Sequence, residues 1–253
     1  MAEISIVVPA RNEAGNIPAL LDGILTACES GLEGRSFEVI IVDDASDDDT
    51  ASVVLKTAKD DPRVRLLSNP VNAGQSASVH SGVLAASGRW IATLDGDGQN
   101  PPGELPRLIA PLLAPDCDPA LGLVAGQRLK RRDSWSKRAA SRFANGLRFF
   151  VLKDGTRDTG CGLKAFRRDA FVALPYFDHM HRYLPALFAR NGWQVAHIDV
   201  AHQPRGSGSS NYSNLQRGLV GLVDLFGVFW LIRRKKKSTA VERFLDAGKA
   251  DSK

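Results

Sequence analysis

Four short apolar runs alternate with stretches of helical character, and this alternation narrows the fold more than any other feature of the chain. The runs cover residues 4–8, closed by Pro9, then 37–42, 63–67 and 90–94. The first, second and fourth are rich in β-branched or aromatic residues, which suits a strand. Between the first two, Asn16 is placed to cap a helix from Ile17 to about Cys28, with Pro18 tolerated in its first turn. Ser46 followed by Asp49 reads as a capping box, opening a helix that runs toward Lys59. Small residues over 75–86 predict a third helix, with Gly88 as the residue just past its end. Strands that are apolar almost without break, joined by helices, predict a mostly parallel sheet covered on both faces.

The rest of the chain continues the pattern less regularly. Pro101-Pro102 opens a helix to about Leu113, and 121–126 is a further strand. Residues 134–150 form a long basic helix, 153–162 a loop, and 166–174 and 179–190 two more helices. A last strand covers 193–200. The run 218–232 is apolar except for Asp224, shorter than the roughly 20 residues a spanning helix needs. Arg233, Arg234 and three lysines follow at once. An apolar helix with aromatic residues and a cationic end suits a membrane interface, and it equally suits a core or dimer helix.

Candidate chemistry gathers where strands end. Asp95 and Asp97 lie at i and i+2 in the turn Asp95-Gly96-Asp97-Gly98-Gln99. Two carboxylates there can converge on Mg²⁺ or Mn²⁺, which prefer oxygen ligands, and the glycines let a diphosphate approach. A surface turn rich in Asp and Gly is the plainer alternative. Asp43 and Asp44 follow the second strand, where a carboxylate can accept from a nucleobase N–H or a ribose hydroxyl. Arg11 and Glu13 follow the first, able to meet a phosphate and a ribose hydroxyl, or to be an ordinary loop. Carboxylates at successive strand ends point to one site on the carboxyl edge of the sheet.

A chain of 253 residues, 43% of them hydrophobic, suits one α/β domain with an appendage. The net charge of +5 is modest and partly local to the cations after Ile232. We assign that block, with 218–237, to a membrane surface and expect no nucleic-acid partner. Three widely spaced cysteines form no CxxC pair, which fits free thiols in a reducing compartment. No cationic start followed by a long apolar stretch is present, so no signal peptide is expected.

The segments VVPARNE, VDDASDDDT, LDGDGQNPP, TGCGLKAFRR and HRYLP, in this order, resemble glycosyltransferase family 2. The nearest branch is the polyprenyl-phosphate sugar transferases, typified by dolichol-phosphate mannose synthase. The likeness covers about residues 4 to 212. It implies a GT-A fold, assigned to 1–212, while the residues themselves give 213–237 as an interfacial amphipathic helical segment and 238–253 as a polar tail, where many relatives carry full membrane-spanning helices. By motif, Pro9, Arg11, Glu13 and Asp44, with Asp43 adjacent, would line the nucleoside pocket. Asp95 and Asp97 would hold the divalent ion, supported by Gln99. Arg128 matches an arginine that serves a donor or acceptor phosphate, although Gln127 stands where the family has Ser. Lys137, Arg138 and Ser141 match a basic acceptor helix, and Arg205 a late loop that closes over the donor phosphates.

The resemblance implies an inverting transfer from a GDP- or UDP-sugar to a polyprenyl phosphate at the cytoplasmic face of a membrane. A lipid monophosphate is already anionic and can attack without a general base, whereas a sugar hydroxyl would need one, and Asp158 is placed to serve. Transfer to a sugar hydroxyl in lipopolysaccharide or polysaccharide assembly, and a non-catalytic nucleotide-sugar-binding module, are the alternatives. A dinucleotide oxidoreductase would need GxGxxG after the first strand, and Pro-Ala-Arg-Asn-Glu stands there instead.

Overall fold

The structure, a computed structural model, describes residues 2–128, 152, 155–203 and 214–234. The basic helix expected over 134–150, Lys137, Arg138, Ser141, Arg205 and the tail 238–253 lie outside these residues. Seven described strands form one sheet: β1 (Ile4–Ala10), β2 (Phe37–Asp43), β3 (Val64–Ser68), β4 (Trp90–Thr93), β5 (Leu121–Arg128), β6 (Lys164–Arg167) and β7 (Gln194–Val200). Their order is β3-β2-β1-β4-β6-β5-β7. All pairs are parallel except those of β6, which runs against both β4 and β5.

The apolar strands explain the layering. In β1, Ile4, Ile6 and Val8 enter the core shared with α1 (Ile17–Gly31) and α4 (Leu105–Leu113), whereas Val7 enters the core on the other face. That second core holds Val79 and Val83 of α3 (Gly74–Ala85), Phe171 of α5 (Arg168–Val172) and Phe188 of α6 (Leu184–Arg190). With α2 (Thr50–Asp60) on the first face, alternate residues of a central strand are buried on both sides, as the near-continuous apolar runs require. Deep in the sheet, Glu38 is spent on structure. Burial alone would raise its carboxyl, but hydrogen bonds from Ser87, Ser5 and Arg65 outweigh that and hold it at about 2.

Six local expectations are corrected. β1 continues through Pro9 to Ala10; the Pro9 carbonyl faces Gly96, beyond the last β4 pair at Thr93, so the missing N–H costs no rung. Asn16 occupies the cap position of α1, yet its side chain donates to Glu13 Oε2 at 2.5 Å instead of capping. Ser46 and Asp49 form no capping box: Ser46 Oγ donates to Asp43, and Asp48 Oδ1 takes the Thr50 N–H that opens α2, at 3.0 Å. Gly88 does not end α3. A Cβ there would meet Ser5 N at 2.7 Å, so glycine is required by the close approach of β1. Finally, Lys164–Arg167 is a strand, not the start of a helix over 166–174, because Phe166 fills the core between β4 and β5. The stretch 179–190 splits into a 3₁₀ turn (Met180–Arg182) and α6.

The last described element, α7 (Asn214–Arg233), lies against the second core. Leu225 and Val228 are buried there, while Val223, Phe226 and Trp230 are 71%, 62% and 59% exposed. The docked face matches the core-helix alternative, and the exposed apolar face is left for another surface. Among the described residues no helix is long and apolar enough to cross a membrane.

Candidate active site

At one edge of the sheet six of the described strands end and one begins. β1, β2, β4 and β5 end there, and the reversed β6 begins there, so Lys164 stands opposite Thr93. The order reverses around β1, which leaves a crevice outside the strand ends. Two adjoining cavities occupy it. The smaller, about 250 Å³, is lined by Arg11, Glu13, Asp44 and Asp97, among others. The larger, about 610 Å³, is lined by Arg128, Asp158, Lys164, His181 and Arg182, among others. Pro9, Gln75 and Asp95 border both.

In the smaller cavity Asp44 is buried and held by the start of α3. Its Oδ1 accepts from Ala73 N and Asn69 Nδ2, and its Oδ2 from Gly74 N, each at 2.8 Å. A carboxylate has about four acceptor positions, so one remains for an N–H or hydroxyl of a ligand. Glu13 accepts from Asn16, and Arg11 reaches solvent with Asp47 at 3.8 Å. Asp43, by contrast, lines neither cavity. Its Oδ1 is turned to the Ser46 N–H and hydroxyl and braces the βα turn.

Asp95 and Asp97 flank the junction between the cavities. Gln75 Nε2 donates to Asp95 Oδ1 at 2.7 Å, and Asn100 Nδ2 to Asp95 Oδ2 at 3.2 Å. Burial raises the Asp95 carboxyl, and the charge of Asp97 adds to this, opposed by Lys164, Asn100 and Arg128. Two carboxylates that repel one another at an accessible edge, with oxygen donors only, fit a hard divalent cation completed by substrate phosphates and water. Among the described residues no three His, Cys, Asp or Glu side chains form a complete metal cage. Gln99 braces the turn through its main chain: its N–H donates to Asp97 Oδ1 at 3.1 Å, and its carbonyl accepts from Gln203 N at 3.0 Å. Its side chain borders neither cavity.

The larger cavity is dominated by paired charge. Arg128 at the end of β5 grips Asp158 with two bonds, Nε to Oδ2 at 2.5 Å and one terminal nitrogen to Oδ1 at 2.8 Å. The pairing with Asp158 raises Arg128 above its ordinary value. Both Asp158 carboxylate oxygens are thus engaged by Arg128, and Asp158 orders the loop beside the end of β5. Gln127, in place of the expected Ser, accepts from Arg157 Nε at 2.5 Å. Lys164 is 4% exposed, and its ammonium donates to the Cys161 carbonyl. Burial lowers it, opposed by Cys161, Asp95 and Asp158. His181 shares a 2.7 Å bond with Ser76 Oγ, and burial holds it well below its ordinary value, so it is a neutral ring. Cys161 is buried, and its thiol is pushed up by that burial, consistent with no nucleophilic role.

Pro9, Arg11, Glu13, Asp44, Asp95, Asp97, Arg128 and Asp158 thus converge as the sequence indicates, while Asp43 and Gln99 support from behind. Sequence reasoning missed Gln75, Asn100 and Lys164, and left His181 undecided. Lys164 falls between the loop read over 153–162 and the helix read over 166–174, and only the reversed direction of β6 sends it to this edge. His202 also stands out, since its buried Nδ1 has no hydrogen-bond partner among the described residues.

Comparison with known proteins agrees with this geometry. Residues 5–174 match the family model described as Glycosyl transferase family 2. The chain is 33% identical over 213 residues to an undecaprenyl-phosphate 4-deoxy-4-formamido-L-arabinose transferase from Enterobacter sp. (strain 638). The match covers 83% of this chain and 63% of the relative, so the chain spans somewhat under two thirds of that protein's length. Among solved structures, glucosyl-3-phosphoglycerate synthase from Mycobacterium tuberculosis, with Mn²⁺, uridine diphosphate and phosphoglyceric acid, superposes with a TM-score of 0.68 at 18% identity, covering 97% of this chain and 84% of its own. The mannosyltransferase PcManGT from Pyrobaculum calidifontis, with GDP-Man and Mn²⁺, gives 0.66 at 23% identity, covering 92% and 65%. These two likenesses establish the fold, which is of the GT-A type.

Proposed function

Because the chain belongs to glycosyl transferase family 2, we propose that it moves a sugar from a nucleotide-sugar, a GDP- or UDP-sugar, to a polyprenyl phosphate, with inversion at C1. One observation carries this: a carboxylate-edged nucleoside cavity and a cation-edged cavity meet at Asp95. The named activity of the undecaprenyl-phosphate relative supports the choice of acceptor.

Asp44 and Glu13 hold the nucleoside, leaving the diphosphate over the Asp95–Asp97 turn. Those two side chains would bind Mg²⁺ or Mn²⁺, which when bound offsets the charge that grows on the departing diphosphate. Lys164 and Arg128 offset the charge of the incoming phosphate, which would otherwise repel the donor. Neutral His181 offers a ring N–H without adding charge. An acceptor phosphate oxygen forms the bond to C1 as the bond from C1 to the diphosphate oxygen breaks, and the electron pair leaves on the nucleoside diphosphate. No proton has to be removed from the attacking oxygen.

The lipid acceptor has to be reached at a bilayer, and α7 suits that task as a peripheral anchor on the cytoplasmic face. Leu222, Val223, Phe226 and Trp230 form an exposed apolar face, and Arg233 and Arg234 continue it with positive charge. Exchanging Phe226 and Trp230 together for Asp is expected to cut co-sedimentation with anionic vesicles about 10-fold or more. Unchanged sedimentation of the folded double variant would remove the anchor.

The function itself is tested by offering GDP- and UDP-sugars with a polyprenyl phosphate or a glycolipid hydroxyl, in Mg²⁺ or Mn²⁺. Sugar is expected on the phosphate alone, and loss of transfer in a chelator. Transfer to the hydroxyl acceptor instead would overturn the proposal.

A further inference from the structure

The one carboxylate inside the apolar run ties α7 to the wall of the larger cavity. Asp224 Oδ2 lies 3.0 Å from His179 Nδ1, and Tyr183 Oη donates to the Gly221 carbonyl at 3.1 Å. The segment 178–184 therefore hangs from α7 at two points. Its backbone is held out of the common conformations: His179 has φ 63°, a left-handed state that persists only where neighbours enforce it. Asp178 Oδ1 accepts the His179 N–H at 2.7 Å. The middle of the same segment, His181 and Arg182, borders the cavity. His181 joins it to α3, since Ser76 Oγ lies 2.7 Å from His181 Nδ1 and accepts the His181 N–H at 3.3 Å. Immediately before Ser76, Gly74 N–H is bonded to Asp44 and Gln75 to Asp95.

We propose that Asp224 and His179 form a positioning latch, through which the seating of α7 sets His181 and Arg182 against the acceptor end of the cavity. This deepens the function proposed above and rests on it for the identity of the acceptor. Neither latch residue borders either cavity, so both act through the segment they hold. An apolar residue at 224 would serve docking or membrane contact equally well, and a carboxylate in such a helix carries a desolvation cost unless paired. What the pair adds is register. A one-residue rotation of α7 would turn its docked face outward and separate the half-buried Asp224–His179 pair, which opposes it.

The test uses two variants of the full chain, Asp224→Leu and His179→Gly. The first keeps the helix apolar, and the second suits the left-handed backbone, so both are expected to fold. Each is expected to raise the KM for polyprenyl phosphate in anionic vesicles about 10-fold, with kcat and vesicle binding within about two-fold. Amide exchange over 180–184 is expected to quicken by a similar factor, and the double variant to do no more than either single one. Folded variants with wild-type exchange over 180–184, or with wild-type KM despite faster exchange, would overturn the latch. If the wild-type protein moves no sugar to a polyprenyl phosphate, the acceptor assignment fails separately, and exchange over 180–184 and at Ser76 alone decides the latch.

Discussion

Replacing Asp97 with Asn is expected to lower sugar transfer by about 10³-fold or more while leaving the protein folded. The reasoning is electrostatic. Asp97 stands at the edge of the smaller cavity beside Asp95, and together they are the described carboxylates placed to hold a divalent ion against a diphosphate. Asn keeps the size and an acceptor oxygen, so the 3.1 Å bond from Gln99 N can survive. Asn removes a charge that now pushes against Asp95, so the folded state loses a repulsion. Activity and stability should therefore separate sharply. The checks are initial rates, Mn²⁺ binding followed by paramagnetic resonance in the presence of nucleoside diphosphate, and thermal unfolding. Near-normal transfer by the variant would show that the acidic turn is not the metal site.

The second large effect is expected at a residue with no side chain. In Gly162→Ala the new Cβ would lie 2.3–2.4 Å from the Asp95 carboxylate, well inside any real contact. Asp95 has little room to yield, because Gln75 and Asn100 fix its two oxygens and burial surrounds it. The loop has little room either, since the Gly162 carbonyl accepts from Thr93 Oγ1 at 2.8 Å just ahead of β6. The carboxylate must swing off its position, and a misplacement of about 1 Å in such a site can cost 10²-fold. We expect kcat/KM to fall by at least about that factor, with weakened Mn²⁺ binding. Gly103→Ala is the control, since nothing lies within 4 Å of its added Cβ, and its activity should stay within about two-fold of wild type. Equal activities of the two variants would mean that Asp95 has no fixed role.

These residues also show where reading the chain works. The acidic turn, Asp44, Arg128 and the alternation of strands are all local signals: each depends on residues a few positions apart, and each landed on the expected edge. The misjudged details share another property. Ser46 is placed to cap a helix when only its neighbours in sequence are considered, but Asp43 offers its hydroxyl a stronger acceptor. Gly88 follows a helix and so suggests a helix end, whereas its real constraint is Ser5, 83 residues away in sequence. Asp158 sits in a loop, and its partner Arg128, at the end of β5, is 30 residues away in sequence.

Sequence alone determined the family, the strand–helix alternation and the acidic turn, because hydrophobic period, turn chemistry and motif order are properties of short stretches of chain. Only the tertiary structure decided which groups carry charge into the site. The reversal of β6 delivered Lys164 to the carboxyl edge, Arg128 paired with Asp158, and His179 met Asp224 across 45 residues. Those outcomes depend on desolvation and on pairings between distant segments. Both are set by what lies within a few ångströms in space, and no local pattern encodes them.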